Sequence, residues 1–233
     1  MQLLDNDLLG ALSAATRSRL ADAFERVRLA HRATLYAPGD AVTSVYFPID
    51  AVISVVTVMS DGTQIETVTV GREGLTGAQA LLDGSPASGL TWCQVAGDAY
   101  RISYTALAEL CGVYRTLRVL VERYMSAQID VMAQSIACNR LHYVNERCAR
   151  WLLMTHDRVG RDEFPLTHEG LATKLGVRRA GVSIAAAALQ QAGAIRYARG
   201  KVAIADRAQL EDAACECYGA INDAYHRRRL AAS

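Results

Sequence analysis

The 233-residue sequence predicts an α+β chain: an N-terminal antiparallel β domain of sandwich or jelly-roll type, a long helix, and a C-terminal winged helix-turn-helix. Three observations carry this. Runs of period-two hydrophobicity between turn dipeptides fill residues 34–103. A wide helical apolar face follows from Leu107 to about Ala137. Residues 166–205, LTHEGLATKLGVRRAGVSIAAAALQQAGAIRYARGKVAIA, then set two short helical patterns around a glycine and end in a basic-tipped hairpin.

Taken in order, Leu8, Leu9 and Leu12, then Leu20, Phe24 and Val27, read as short helices. Strands are expected at Thr34–Tyr36, Ser44–Phe47, Val52–Met59, Gln64–Val70, Thr91–Ala96 and Ala99–Ser103. Turn signals separate them at Pro38-Gly39-Asp40, Pro48-Ile49-Asp50, Asp61-Gly62, Gly84-Ser85-Pro86 and Gly97-Asp98. Asp61-Gly62 is the strongest hairpin signal, because Gly accepts the positive φ that a tight turn needs. Glu73–Leu82 reads as a short helix entered through Gly74 and Gly77. Free backbone N–H groups at such an entrance can hold an anion, although an ordinary connector has the same composition.

In the long helix, Leu117, Leu120, Tyr124, Ala127 and Val131 keep a three-four spacing, and Val121, Met125, Ile129, Met132 and Ile136 widen the face. That width suits packing on its own domain and on a second copy. A charge at Val131 or Tyr124 is expected to break the pair. Beyond it, Leu166, Leu171 and Leu175 end at Gly176, and Val182, Ala185, Ala186 and Leu189 end at Gly193. Arg178, Arg179, Gly181 and Ser183 open the second helix, the end that faces base edges when such a motif enters a major groove. Ile195–Tyr197 and Val202–Ile204 flank Arg199-Gly200-Lys201, a wing suited to phosphate contact. Thr167 and His168, at the start of the first helix, are further phosphate candidates.

Charge agrees with this division. Residues 1–139 carry ten Lys and Arg against fourteen Asp and Glu, whereas residues 140–233 carry fifteen against ten. The basic half is the one expected to meet a polyanion. Arg227-Arg228-Arg229 reads as a solvated tail or an added phosphate contact. Hydrophobic content of 51% with 21% charge suits a soluble globular protein, and no apolar stretch spans a membrane. The N-terminus lacks a signal-peptide pattern, and Cys93, Cys111, Cys138, Cys148, Cys215 and Cys217 have no disulfide-framework spacing, so a cytoplasmic chain with reduced thiols is expected. No metal-ligand spacing, phosphate loop or nucleophile motif points to an enzyme or a cofactor. Cys215 and Cys217 read as a thiol pair or as two incidental thiols, and adjacent-but-one positions on a helix, which face different sides, favour the second.

The order of parts resembles the cyclic-AMP receptor protein and fumarate-nitrate regulator (Crp/Fnr) family of bacterial transcription regulators. The resemblance is carried by Leu35–Asp40 (LYAPGD), Glu146–Leu153 (ERCARWLL), and Leu166–Ala172 through Gly176-Val177-Arg178-Arg179. It implies a cyclic-nucleotide-binding-type jelly-roll sensor over 1–112, a dimerisation helix over 113–140 and a winged helix-turn-helix over 141–233. Implied partners are double-stranded DNA, a second copy of the chain and a small-molecule effector, with RNA polymerase a further candidate and no membrane. The family cassette for cyclic AMP, laid on Gly74 and Gly77, puts Ala78 where the ribose-binding Glu belongs and Ser88 where the phosphate-binding Arg belongs. No Lys or Arg lies between Arg72 and Arg101, so an effector other than cyclic AMP is expected. A degenerate barrel answering to a protein partner, or to nothing, is the alternative. The iron–sulfur branch needs N-terminal cysteines, and here the first is Cys93; the five histidines show no haem-ligand set. In the reading helix Arg179 matches the family's guanine-reading position, while Ala180 and Ile184 replace its Glu and second Arg.

Overall fold

The computed structural model describes residues 3–230, with side chains through Arg227. Two short helices, α1 (Asp7–Gly10) and α2 (Ala14–Leu20), start the chain, capped by the Asn6 and Ser13 side chains. Seven strands follow: β1 (Glu25–Leu29), β2 (Thr34–Tyr36), β3 (Ser44–Pro48), β4 (Val52–Val58), β5 (Gln64–Val70), β6 (Leu90–Val95) and β7 (Gly97–Ser103), with α3 (Ala80–Asp83) between β5 and β6. They form two antiparallel sheets, ordered β1-β7-β3 and β2-β6-β4-β5. Then come α4 (Tyr104–Val113), α5 (Arg115–Leu141) and α6 (Val144–Val159). The C-terminal unit holds β8 (Glu163–Pro165), α7 (His168–Leu175), α8 (Arg179–Gln191), β9 (Ile195–Ala198), β10 (Lys201–Ile204), α9 (Arg207–Asp212) and α10 (Cys217–Leu230). None of the described helices is long and apolar enough to cross a membrane.

Four local expectations give way, each for a tertiary reason. Phe24 and Val27 do not share a helix: residues 25–29 pair with β7, and Arg26 and Arg28 both reach Asp98 across the ladder, at 2.7 and 3.0 Å. Gly97 begins β7 rather than a turn, because it pairs with Leu29 of β1; a Cβ there would lie 2.3 Å from the Ala51 nitrogen. The helix expected over Glu73–Leu82 shrinks to Ala80–Asp83. The Thr76 N–H donates to the Tyr46 carbonyl, and Gly74 packs so tightly on Tyr124 that a Cβ would fall 2.1 Å from the ring. The long helix breaks at Tyr114, whose extended backbone (φ −106°, ψ 92°) separates α4 from α5. The Asp61-Gly62 hairpin forms as read, with Gly62 at φ +83° and the Asp61 carboxylate accepting from the Thr63 N–H.

Two cores result. One joins α1, α2, β3, β7 and the first half of α5; Tyr124 lies inside it at 5% exposure and stacks on Tyr225 of α10, 6.3 Å away. A charge at Tyr124 would therefore damage the chain's own core and is no clean probe of dimerisation; Val131 is half-buried in the same chain. The apolar surface that α5 leaves open is the stripe containing Ile129 (63% exposed) and Ile136 (72% exposed). The second core fills the C-terminal unit but also takes in Val52 and Val95, so that unit is packed onto the β domain rather than tethered beside it.

Candidate nucleic-acid interface

α7 begins where Thr167 Oγ1 accepts from the Gly170 N–H at 3.0 Å, and ends at Gly176 in the left-handed region, φ +62°. Leu171, Ala172 and Leu175 face Val182, Ala185, Ala186 and Leu189 of α8; the alanines let the two helices approach closely. Arg178 occupies the N-cap of α8 and Arg179 its first helical position, and both are exposed. The first turn holds no acid, so its free N–H groups add positive potential at the same end. Ile184 projects from the outer face at 74% exposure. Gly181 is half-buried in that turn.

His168 and Ser183 serve one another: imidazole Nδ1 and hydroxyl lie 2.9 Å apart, joining the start of α7 to α8. The Ser183 hydroxyl can also donate to the Arg179 carbonyl at 3.1 Å, and the His168 ring lies 4.5 Å from Tyr197. The wing is a three-stranded sheet, because β8, too short to be read from sequence, pairs with β10. Arg199 (φ +49°) and Gly200 (φ +75°) make its two-residue tip, a conformation that favours glycine and burdens Arg199. Lys201 pairs with Glu163 at 2.7 Å on the surface. Arg196, exposed on β9, is a basic residue that sequence reasoning missed; its alternation with buried Ile195 was the available signal. Arg227 is exposed on α10, whereas Arg228 and Arg229 lie outside the described side chains.

Between the reading unit and the β domain lies a polar node. Lys174 of α7 reaches Glu66 of β5 at 2.7 Å, with side chains 4% and 5% exposed. Its ammonium also donates to Gln94 Oε1 at 2.7 Å and Ser54 Oγ at 3.0 Å, and lies 5.2 and 5.4 Å from the Trp92 and Trp151 rings. Burial pushes the Glu66 carboxyl up, but the Lys174 charge and the hydrogen bonds from Lys174, Ser54 and Trp151 outweigh it and hold the pKa below its ordinary value. A second pair, Arg158 of α6 with Glu73 at 2.8 Å, is 6% and 15% exposed. Beside it a cavity of about 220 Å³ opens among α1, α5, α6 and α10, lined by Arg72, Glu73, Arg123, Tyr124, Arg158 and Tyr225 among others.

The four expected cassette residues sit in different surroundings. Gly74 lies on Tyr124, Gly77 on Val42 and the Tyr36 hydroxyl, Ala78 is 8% exposed in the core, and Ser88 faces solvent. The Tyr36 hydroxyl donates to the Ser44 carbonyl and bonds Thr76 Oγ1, filling the space beneath the glycines. An open groove of about 530 Å³ beside them, bordered by Val42, Ser85 and Tyr104, has no charged side chain in its lining.

Two family models match this frame: a cyclic nucleotide-binding domain over residues 26–114 and a Crp-like helix-turn-helix domain over 146–213. The chain is a Crp/Fnr-family transcription regulator. A search of curated proteins found no match to it. Among solved structures, this Crp/Fnr regulator is similar to FixK2 of Bradyrhizobium japonicum, at 14% identity and TM-score 0.69, covering 82% of this chain and 98% of that one. It is similar to a CRP-family regulator of Thermus thermophilus, at 24% identity and TM-score 0.67, covering 81% and 96%. It is likewise similar to CLP of Xanthomonas campestris, described as a c-di-GMP responsive global regulator, at 16% identity and TM-score 0.66, covering 83% and 100%. At these identities the neighbours speak to the fold: a β domain, helices and a helix-turn-helix in one α+β chain.

Proposed function

We propose that this Crp/Fnr regulator acts as a homodimer that sets two α8 helices in successive major grooves, under control of an effector other than cyclic AMP. The sensor spans 1–112, the dimerisation helix 113–140 and the reading domain 141–233. The carrying observation is the exposed, acid-free start of α8, with Arg178 and Arg179, on a unit clamped to the β domain through Glu66 and Lys174. Arg179 reads a base edge; Arg178, Arg199, Lys201 and Thr167 hold phosphates. His168 and Ser183 act chiefly by fixing α7 against α8, since His168 Nδ1 and the Ser183 hydroxyl already engage each other. Ile184 offers its side chain to a thymine methyl, so the site differs from one read by Arg there.

Arg179→Ala is expected to weaken specific binding more than binding to random duplex, by the ~1–3 kcal/mol of a bidentate guanine contact. Lys201→Ala is expected to weaken both alike and to lower the salt slope by about one unit. Binding titrations across a salt series read both; equal losses for Arg179→Ala on the two duplexes would assign it to phosphate instead.

Effector control works by differential affinity for two arrangements of the reading unit, typically about 1–3 kcal/mol. The Glu66–Lys174 node and the cavity beside Arg158 lie on the junction that such arrangements must change. Cyclic AMP and cyclic GMP are expected to give no heat on titration into the protein and no change in DNA affinity, because buried Ala78 and exposed Ser88 supply neither ribose acceptor nor phosphate cation. Micromolar binding of either would overturn this reading. CLP's described response to c-di-GMP makes that dinucleotide the next ligand to titrate. A second reading, a barrel that answers to a protein partner or to no effector, is favoured by the uncharged groove, and ligand-dependent thermal stabilisation would count against it.

A further inference from the structure

Four side chains from two distant segments meet where the end of α5 approaches the start of α10. Cys138 and His142 stand one helical turn apart, the cysteine on α5 and the histidine at its C-cap. Cys215 precedes α10 and Cys217 opens it. Cys215 and Cys217 therefore straddle a helix start instead of lying within a helix, so both thiols can face the same neighbours. The candidate ligand atoms of all four, three sulfurs and one imidazole nitrogen, lie within 4.8 Å of one another. Cys138 Sγ and Cys215 Sγ are 3.5 Å apart, and Cys217 Sγ is 3.6 Å from His142 Nδ1. A tetrahedral zinc with Zn–S of about 2.3 Å and Zn–N of about 2.0–2.1 Å sets its ligand atoms about 3.5–3.8 Å apart.

The surroundings fit a metal better than three thiols packed for bulk. His142 Nε2 lies 3.0 Å from the Glu216 carboxylate. With Nε2–H donating to Glu216, the lone pair is on Nδ1, the nitrogen that faces Cys217. This is the carboxylate–histidine arrangement that orients metal-bound imidazoles. Gln134 donates to Cys217 Sγ at 3.0 Å, as an amide does to a metal thiolate. Three thiolates on a divalent ion leave one net negative charge, and buried Arg147 and Arg150 of α6 stand behind the cluster to offset it. Apolar packing of cysteines needs neither the aimed imidazole nor the carboxylate behind it.

We propose that Cys138, His142, Cys215 and Cys217 form a Cys3His site for one thiophilic divalent ion, zinc by its tetrahedral preference, which clips α10 to the end of α5. On binding, three thiols release their protons to solvent, four metal–ligand bonds form, and nothing is oxidised or reduced. The clip holds in place the helix whose Tyr225 stacks on Tyr124 and lines the junction cavity. Metal loss frees the start of α10 and loosens that wall. The site is independent of the effector reading above.

The test uses the full-length chain purified without chelator. Elemental analysis is expected to find one zinc per chain, and X-ray absorption to fit three sulfurs at about 2.3 Å and one nitrogen at about 2.0–2.1 Å. Exchange for cobalt(II) is expected to bring thiolate charge-transfer absorption and the intense visible bands of a tetrahedral ion, a readout that needs no variant. Cys217→Ser and His142→Ala should lose stoichiometric metal, whereas Cys111→Ser should keep it. Chelation should lower the melting temperature of the wild type and of Cys111→Ser, but not of Cys217→Ser. A fully reduced wild-type chain that refuses zinc and cobalt would overturn the proposal, as would iron with inorganic sulfide in place of zinc. A Cys138–Cys215 disulfide in a chain that takes up no zinc after reduction would also overturn it.

Discussion

Glu66→Gln is expected to cost about 3–5 kcal/mol in urea unfolding at neutral pH, the range for removing one partner of a buried ion pair. The substitution keeps the shape and removes the charge. Lys174 would then hold its ammonium, 4% exposed, against neutral oxygens from Ser54, Gln94 and the substituted amide, and two indole faces. That set does not replace a carboxylate at 2.7 Å. Lys174→Met is expected to cost less than Glu66→Gln. The stranded carboxyl keeps donors from Thr69, at 2.8 Å, and Trp151, at 3.1 Å, and can take up a proton. Replacing both residues with leucine and methionine should recover most of the loss, since a well-packed apolar pair is often neutral against a buried ion pair. If the double variant instead loses as much as the two single variants added together, the pair is not coupled and the node is ordinary packing.

The same pair has a pH signature. The Glu66 pKa is below its ordinary value of 4.5, so the stabilisation is fully present above that value and is lost as pH falls through the depressed folded pKa. The reading unit is therefore expected to stay docked through neutral and mildly acidic solution. Because Glu66 lies on the β domain and Lys174 on α7 of the helix-turn-helix, Glu66→Gln should also change DNA affinity, although neither residue contacts DNA in the proposed arrangement. A stability loss with unaltered DNA binding would show that docking does not control reading.

What was legible in the sequence was local. Gly176, Asp61-Gly62 and Arg199-Gly200 announce turns because the residue itself supplies the backbone freedom, and all three turns form where read. The helix pair and wing were visible for the same reason. The node was not: Glu66 and Lys174 are 108 residues apart, and neither carries a local sign of its partner. Cys138 and Cys215 are 77 apart, and adjacent-but-one cysteines read as divergent only under the assumption of a continuous helix there. The strand at 25–29 was hidden because Phe24 and Val27 satisfy helical spacing; Asp98, which settles the matter by pairing with Arg26 and Arg28, lies on β7. The expected cassette shows the opposite limit. Gly74 and Gly77 keep the family's glycine positions, but nothing near them in sequence tells that Tyr124, reached from α5, occupies the space beside Gly74.

Ile129→Arg, alone or with Ile136→Arg, is expected to convert a dimer to a monomer while leaving the single chain folded. Both isoleucines are mostly exposed on the isolated chain, at 63% and 72%, so an arginine there meets water and disturbs no core. They continue a three-four spacing along α5 from Met125, which packs at the edge of the chain's own core, through half-buried Met132. In a two-fold pairing of α5 with its copy, each residue enters the interface twice. Two guanidinium groups would then be desolvated beside apolar partners without a carboxylate, which is far costlier than the lost methyl contacts. Losing the dimer separates the two α8 helices, so the second half-site no longer binds as an intramolecular step. Specific DNA affinity should fall by about 10²–10⁴-fold for that reason alone. Sedimentation should find a monomer whose circular dichroism and urea midpoint match those of the wild type diluted to its monomer. Tyr124→Asp should instead lower the urea midpoint at every concentration, because it strikes the core of one chain. A wild type that stays monomeric on and off its DNA, or an Ile129→Arg chain that sediments as the wild-type dimer does, would remove α5 from the assembly.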